Sequence, residues 1–275
     1  MFIDQLTMDK IHEIQIEMWK TLSGLLESMQ IPYYFVHGSL LGAVRDGGFI
    51  PEDDDIDIAV FRKDFEKLMS SGNSALPGHY FLQYSLNDDF PLAFGKFRDS
   101  RTAFIQPSLN GYHCNKGIYI DIFPIDYVYE SALKRKWFQA RMKLLNYRIN
   151  SRMYSDTTTP KKIFGILSKI LVPSYESAVK KREKLFDSLP ISSLISVTNG
   201  KPAERMIPLK WFEDQRSFPF CGFEISGPSH YEDYLRTIYG ENFYHHNPAD
   251  SRLLNGTIEI SADILSFDQS YQKYV

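Results

Sequence analysis

The chain has 275 residues, of which 43% are hydrophobic, 24% charged and 15% aromatic, a composition that excludes disorder, collagen and low-complexity fibre. Its two cysteines, Cys114 and Cys221, exclude a disulfide framework and a Cys-rich zinc module, and point to a reducing compartment. The net charge of −3 hides an asymmetry: residues 134–184 carry 14 basic and 3 acidic residues, the remainder 17 and 31, so the middle attracts anions while the rest of the chain disfavours nucleic acid as a partner.

In chain order, residues 9–30 are expected to form an amphipathic helix, because Ile11, Ile14, Met18, Leu22, Leu25 and Met29 recur at spacings of three and four. Residues 1–30 carry charged and polar groups throughout, so no secretory leader is expected. Tyr33–His37 reads as a buried strand, followed by a Gly-Ser turn and a short helix from Ser39 to Arg45. Ile56–Val60 reads as a strand and Asp64–Met69 as a helix, with further strands at Tyr80–Leu86, Leu92–Arg98 and Ile118–Phe123. Beyond Asp126 the pattern turns helical over 130–152 and 174–188. The segment Phe218–Pro228 reads as aromatic, Pro- and Gly-rich loop. A last helix runs from His230 to Tyr239, with Ser229 as its expected N-cap and Gly240 as its stop. The most apolar run, Ile163–Val172, is interrupted by Ser168 and Lys169 and is far shorter than the ~20 residues that span a bilayer. The chain is therefore an α+β protein with its sheet in the first 128 residues.

The segment Glu52-Asp53-Asp54-Asp55-Ile56-Asp57-Ile58 places five carboxylates in six positions before an apolar strand. Alternation along that strand puts Asp55 and Asp57 on one face, with Asp53 in the same phase, and sends Ile56 and Ile58 to the core. Two carboxylates ~4 Å apart repel by roughly 4 kcal/mol at an effective dielectric near 20, a cost that a divalent cation turns into affinity. Oxygen ligands without Cys or His favour Mg²⁺ or Mn²⁺ over zinc. Upstream, His37-Gly38-Ser39 opens a short helix whose backbone N–H groups suit phosphate oxygens. Downstream, Asp121 is a lone acid inside the apolar strand around Tyr119–Ile122, costly unless paired or metal-bound.

The run from His37 to Asp57, HGSLLGAVRDGGFIPEDDDID, resembles the hallmark of the LicD family, phosphocholine-transferase-like proteins of the nucleotidyltransferase fold related to fukutin-related protein. Gly95–Asp99 (GKFRD), Ile118–Asp126 (IYIDIFPID), Tyr231–Tyr239 and Asn247–Arg252 (NPADSR) resemble the same family in order. Glu52 stands where many members have Trp, and the two cysteines do not support the zinc loop of the fukutin-related branch. The resemblance implies a mixed sheet flanked by helices, with 1–128 as catalytic core, 129–204 as an inserted basic helical region and 205–275 as a family-specific segment packed on the core.

It further implies metal-dependent transfer of phosphocholine, or a related phospho-substituent, from a CDP-activated donor to a sugar hydroxyl of an envelope or capsular glycan, with release of CMP. By the same resemblance Asp55, Asp57 and Asp121 ligate two ions, with Asp121 as third ligand or base, and Asp53 stands in second rank. Gly38 and Ser39 hold donor phosphate. Lys96 and Arg98, two apart on a strand and so on one face, are expected to neutralise the pyrophosphate. Arg45 is a further candidate, or else caps its helix, and Arg252 is expected to close over the donor. The 40 aromatics include Trp211, Phe212, Tyr231 and Tyr234 in the family-like tail, which suit a trimethylammonium group. His37, His113, His245 and His246 are not read as ligands, nor Cys114 as a nucleophile. The expected setting is cytoplasmic, at the inner face of the membrane, with a lipid-linked glycan acceptor and peripheral contact through 131–184. Two other functions fit the same residues: a nucleotidyltransferase that releases pyrophosphate, and a non-catalytic binding module.

Overall fold

A computed structural model describes residues 1–152, 166, 168–197, 205–245, 253–254 and 257–275. The first helix, α1 (Gln5–Ser28), begins where the Asp4 carboxylate accepts the Thr7 N–H at 2.8 Å, an N-cap that satisfies one of the helix's orphan donors. Its buried stripe runs Met8, Ile11, Gln15, Met18, Trp19, Leu22, Leu25 and Leu26. A polar residue, Gln15, thus sits inside an apolar face.

The central sheet takes the order β2 (Tyr34–Phe35), β3 (Asp57–Phe61), β7 (Ile118–Tyr127), β5 (Gly95–Asp99), β4 (Tyr80–Gln83). Strands β3 and β7 are parallel and the other pairs antiparallel, so the sheet is mixed. Strand β7 is long enough to pair along one edge with β3 and along the other with β5 and then β8 (Leu194–Val197), which in turn carries β9 (Ile207–Pro208). The sheet therefore extends beyond residue 128, because chain returning from the helical middle adds its edge. On β7, Ile118, Ile120 and Ile122 are fully buried on the face covered by α1 and α3 (Arg62–Ser71), whose Phe65 and Met69 press on Gly95. Alternation turns Tyr119, Asp121 and Phe123 to the opposite face. That face carries the site.

The segment expected as loop at Phe218–Pro228 is a two-stranded hairpin, β10 (Gln215–Phe220) and β11 (Phe223–Pro228). Its turn residues Cys221 and Gly222 both have positive φ, 49° and 84°, the geometry of a two-residue hairpin turn. A cysteine in place of the usual Asn or Asp disguised it, and proline in both strands lowered the strand signal. The hairpin packs on β2 and on α2 (His37–Arg45). The last helix of the described chain spans Tyr231–Tyr239; its N-cap is His230, while Ser229 is taken up by an N–H bond to the Asp214 carbonyl. Gly240, at φ 88°, ends it as expected. Farther on, β13 (Thr257–Glu259) pairs with β1 (Phe2–Ile3) and β14 (Ile264–Ser266) with β6 (Ala103–Ile105), so both chain ends join the same hydrophobic core.

The middle has its own core. Helices α4 (Ala132–Ile149) and α5 (Tyr175–Asp187) pack through Phe138, Met142, Leu145, Ile149, Val179, Leu185 and Phe186. It is tied to the sheet half by buried charge. Arg62 forms a two-bond pair with Asp126, both bonds 2.7 Å, and Arg182 on α5 donates to the carbonyls of Pro91 and Leu92 at 2.7 and 2.9 Å. Glu183 lies against Tyr84, Arg182 and Arg62. Among the described residues no helix is long and apolar enough to cross a membrane.

Candidate active site

Parallel pairing of β3 with β7 sets Asp57 directly beside Asp121, and the Asp121 N–H donates to the Ile56 carbonyl at 2.8 Å. Two acids distant in sequence thus become lateral neighbours on one face. Asp55 enters from the loop before β3, and one oxygen from each of Asp55, Asp57 and Asp121 lies within 4.8 Å of the others. Asp53, Asp54 and Asp55 form a second such group along the loop.

The loop is held in part through its backbone. On α1, Gln15 donates to the carbonyls of Asp54 and Tyr119 at 2.8 and 3.1 Å, bridging loop and β7, and His12 Nε2 lies 2.7 Å from the Asp53 carbonyl. Neither residue was among the sequence candidates. The available signal was Gln15 inside the apolar stripe of α1, where a buried amide demands partners. The start of α2 completes the frame. Ser39 Oγ accepts the Asp57 N–H at 2.8 Å, and a Cβ on Gly38 would collide with Asp53 Oδ2. Glycine is required there because the Asp53 carboxylate lies against the positive end of the helix.

Electrostatically the site is overloaded with acid. Burial, followed by the neighbouring carboxylates, pushes Asp55 and Asp57 well above the ordinary carboxyl range. Burial raises Asp121 too, and Lys96 opposes that shift. Lys96 sits opposite Asp121 in the β5–β7 register, 2% exposed, with Nζ 2.5 Å from Asp121 Oδ1 and 3.3 Å from the centre of the Tyr119 ring. Burial lowers its ammonium, while Asp121 holds it up. One ammonium does not balance three carboxylates. At 4.8 Å each like-charge pair costs about 3 kcal/mol at an effective dielectric near 20. An all-oxygen donor set with this surplus fits a hard divalent cation.

The other expected site residues are distributed unevenly. Arg98 is 0% exposed beneath Tyr119, with Nε bonding Gln83 at 2.9 Å and Nη1 the Gly117 carbonyl at 2.7 Å, while its buried Nη2 has no hydrogen-bond partner among the described residues. Arg45 stands at the far end of α2, about 9 Å along the axis from Ser39, where it pairs with Asp46 at 2.7 Å. Arg252 and His246 lie outside the described residues. Of the four tail aromatics, Tyr234 reaches the site: its hydroxyl lies 3.2 Å from His37 Nδ1, and burial, with the charge of Asp57 adding, raises its pKa. Phe212 is buried between Tyr34 and Tyr234, and Tyr231 stacks with Phe218 and Arg216. Tyr239, not singled out from sequence, is raised by burial and by Asp57, Asp53 and Asp55. The α helix of residues 231–239 therefore carries two phenols whose pKa values the acids raise, at a spacing of five that no simple motif marks.

Residues 30–158 match the family model described as LicD/FKTN/FKRP, nucleotidyltransferase domain. The chain is also similar to lipopolysaccharide cholinephosphotransferase LicD of Haemophilus influenzae, 22% identical over 230 residues that cover 79% of this chain and 84% of that protein. The matched segment contains every strand that bears a site acid.

Proposed function

Because the chain carries a LicD-family nucleotidyltransferase domain, we propose that it transfers phosphocholine, or a closely related phospho-substituent, from a CDP-activated donor to a sugar hydroxyl of a cell-envelope glycan, releasing CMP. The observation that carries this reading is the convergence of Asp55, Asp57 and Asp121 within 4.8 Å beside the start of α2. Likeness to a lipopolysaccharide cholinephosphotransferase supports the phosphocholine group and the glycan acceptor.

Asp55, Asp57 and Asp121 are the residues that would hold Mg²⁺ or Mn²⁺, in one or two ions, and such ions neutralise donor phosphate and lower the pKa of a bound hydroxyl. The chain's own contribution is positioning. Ser39 fixes the backbone of Asp57, Gln15 fixes the loop against β7, and Lys96 opposes the upward shift that burial imposes on Asp121. Transfer of this type needs little covalent help and much orientation. On this reading Asp121 serves as third ligand or as the base that takes the acceptor proton, a carboxyl whose pKa burial raises against the pull of Lys96.

Incubation with CDP-choline, Mg²⁺ and a lipopolysaccharide or teichoic-type acceptor tests the proposal, with CMP as the measured product. CMP formation that requires acceptor and is abolished by chelation is the expected result. Pyrophosphate release from CTP without CMP would instead identify a nucleotidyltransferase, and no release from any CDP-linked donor would overturn the proposal.

A further inference from the structure

Helix α4 buries one stripe and, among the described residues, leaves another without a partner. Phe138, Met142, Leu145 and Ile149 face the second core. On the outer side Leu133, Trp137 and Arg141 follow at spacings of four, which makes them one row. Leu133 is 81% and Trp137 64% exposed, and the Arg141 guanidinium lies 4.7 Å from the Trp137 ring. Lys134, Lys136 and Lys143 are exposed beside them. No acidic residue occurs from Ser131 to Ser155, against seven basic ones. A groove of about 420 Å³ runs along this row between Tyr129 and Leu185. The short helical stretch that follows exposes Ile166 and Ile170, at 61% and 70%.

We propose that the outer row of α4 docks on an anionic lipid bilayer. The arrangement separates this occupant from a protein. Protein interfaces bury a contiguous apolar centre from which lysine is depleted, whereas here single apolar side chains alternate with cations at almost every turn. That interleaving suits a headgroup layer, where Trp sits at the interface, Leu reaches the acyl boundary, and Lys and Arg snorkel to phosphates. At 18 residues α4 is about 27 Å long, long enough to lie flat across several lipids. Charge complementarity selects anionic lipid over neutral lipid.

The test is flotation of the full chain with vesicles of phosphatidylcholine alone and of phosphatidylcholine mixed with phosphatidylglycerol, read by protein in the floating fraction and by tryptophan emission. The expected result is flotation with the mixed vesicles only, weakening with salt, and a blue shift that is lost in Trp137→Ser. The triple variant K134E/K136E/R141E is expected to reduce partitioning by more than about tenfold, with its thermal midpoint unchanged because all three side chains point outward. Retention of the wild type in the unfloated fraction, equal flotation with both vesicle types, or flotation of the triple variant like the wild type would each overturn the proposal. So would binding to heparin beads with none to vesicles, which would assign the row to a soluble polyanion. Since the readout is binding alone, its outcome is independent of whether CDP-choline is the donor.

Discussion

The sheet half and the helical middle treat charge in opposite ways. On the sheet, Lys96, Arg98, Asp121 and Asp126 are each 6% exposed or less, and every one meets a partner through a specific register or bond. On α4, Lys134, Lys136, Arg141 and Lys143 stand in water, and among the described residues Arg141 alone has a ring to lean on. Buried charge costs several kcal/mol unless compensated, and among the described residues the three acids Asp55, Asp57 and Asp121 outnumber the one ammonium, Lys96, that bonds them directly. Exposed charge costs nothing to maintain, and the basic stripe of α4 carries meaning only through its pattern with Leu133 and Trp137. Burial therefore marks the proposed site of chemistry, and pattern marks the proposed surface of attachment.

Replacement at the acids breaks the comparison most severely. Asp57→Asn is expected to lower the rate of CMP formation by about 10³-fold, on the order of 4 kcal/mol of transition-state stabilisation. The same change removes a like charge from Asp55 and Asp121, so the metal-free protein should gain about 1–2 kcal/mol, a rise of a few degrees in thermal midpoint. Added Mg²⁺ should raise the midpoint of the wild type and leave that of the variant nearly unmoved. A variant that is both inactive and less stable would mean that the three acids are compensated within the fold.

Next in size are the buried cations. Arg182→Met removes the donor to the Pro91 and Leu92 carbonyls and should cost about 3–5 kcal/mol in urea unfolding. The loss should reach the site, because the segment it anchors continues to Phe94, which stacks on Phe123 at 4.7 Å and lies 5.4 Å from Lys96 Nζ. Lys96→Met should cost about 3 kcal/mol by stranding the Asp121 carboxylate. Partial recovery at acid pH, where Asp121 can be protonated, would distinguish this from a packing defect.

The acids at the centre were legible from sequence for a physical reason. Consecutive carboxylates before an apolar strand leave few low-energy arrangements, and alternation decides which of them share a face. Helix α1 followed from apolar periodicity. What escaped was set by register and by distant packing. Nothing in Lys96 or Arg98 alone tells that the first lands opposite Asp121 and the second beneath Tyr119, since both obey the same alternation. The Gln215–Pro228 hairpin was hidden by prolines and by a cysteine in the turn. The network of Arg62, Asp126, Arg182 and Glu183 joins elements more than 50 residues apart, a separation at which a single sequence carries no pairing signal.

A smaller effect concerns His37, whose φ of 49° lies in a region that Asn also tolerates. Burial lowers its pKa to about 4, so the folded protein binds fewer protons than the unfolded chain between pH 6.5 and 4. Stability from this group is present above pH 6.5 and is lost as pH falls through that interval, by at most about 3 kcal/mol. His37→Asn should remove that dependence. Urea midpoints of the two proteins should then converge, or cross in favour of the variant, between pH 7 and pH 4.5; parallel curves would mean that His37 is protonated in the fold.

The smallest effect is expected on α4, and it sharpens the contrast because the substitution is the same. Lys136→Met at an exposed helical position removes a charge with no ion pair among the described residues, exchanges two residues of similar helix propensity, and should change stability by less than about 0.5 kcal/mol. The identical replacement at Lys96 strands a carboxylate 2.5 Å away. Lysine on the sheet is part of a fixed charge arrangement, so its loss is read in unfolding. Lysine on α4 has no structural role to lose, so its loss should be read only in affinity for an anionic surface. A destabilisation at Lys136 approaching that at Lys96 would show that α4 is held by its charges, and the separation between buried chemistry and exposed attachment would fail.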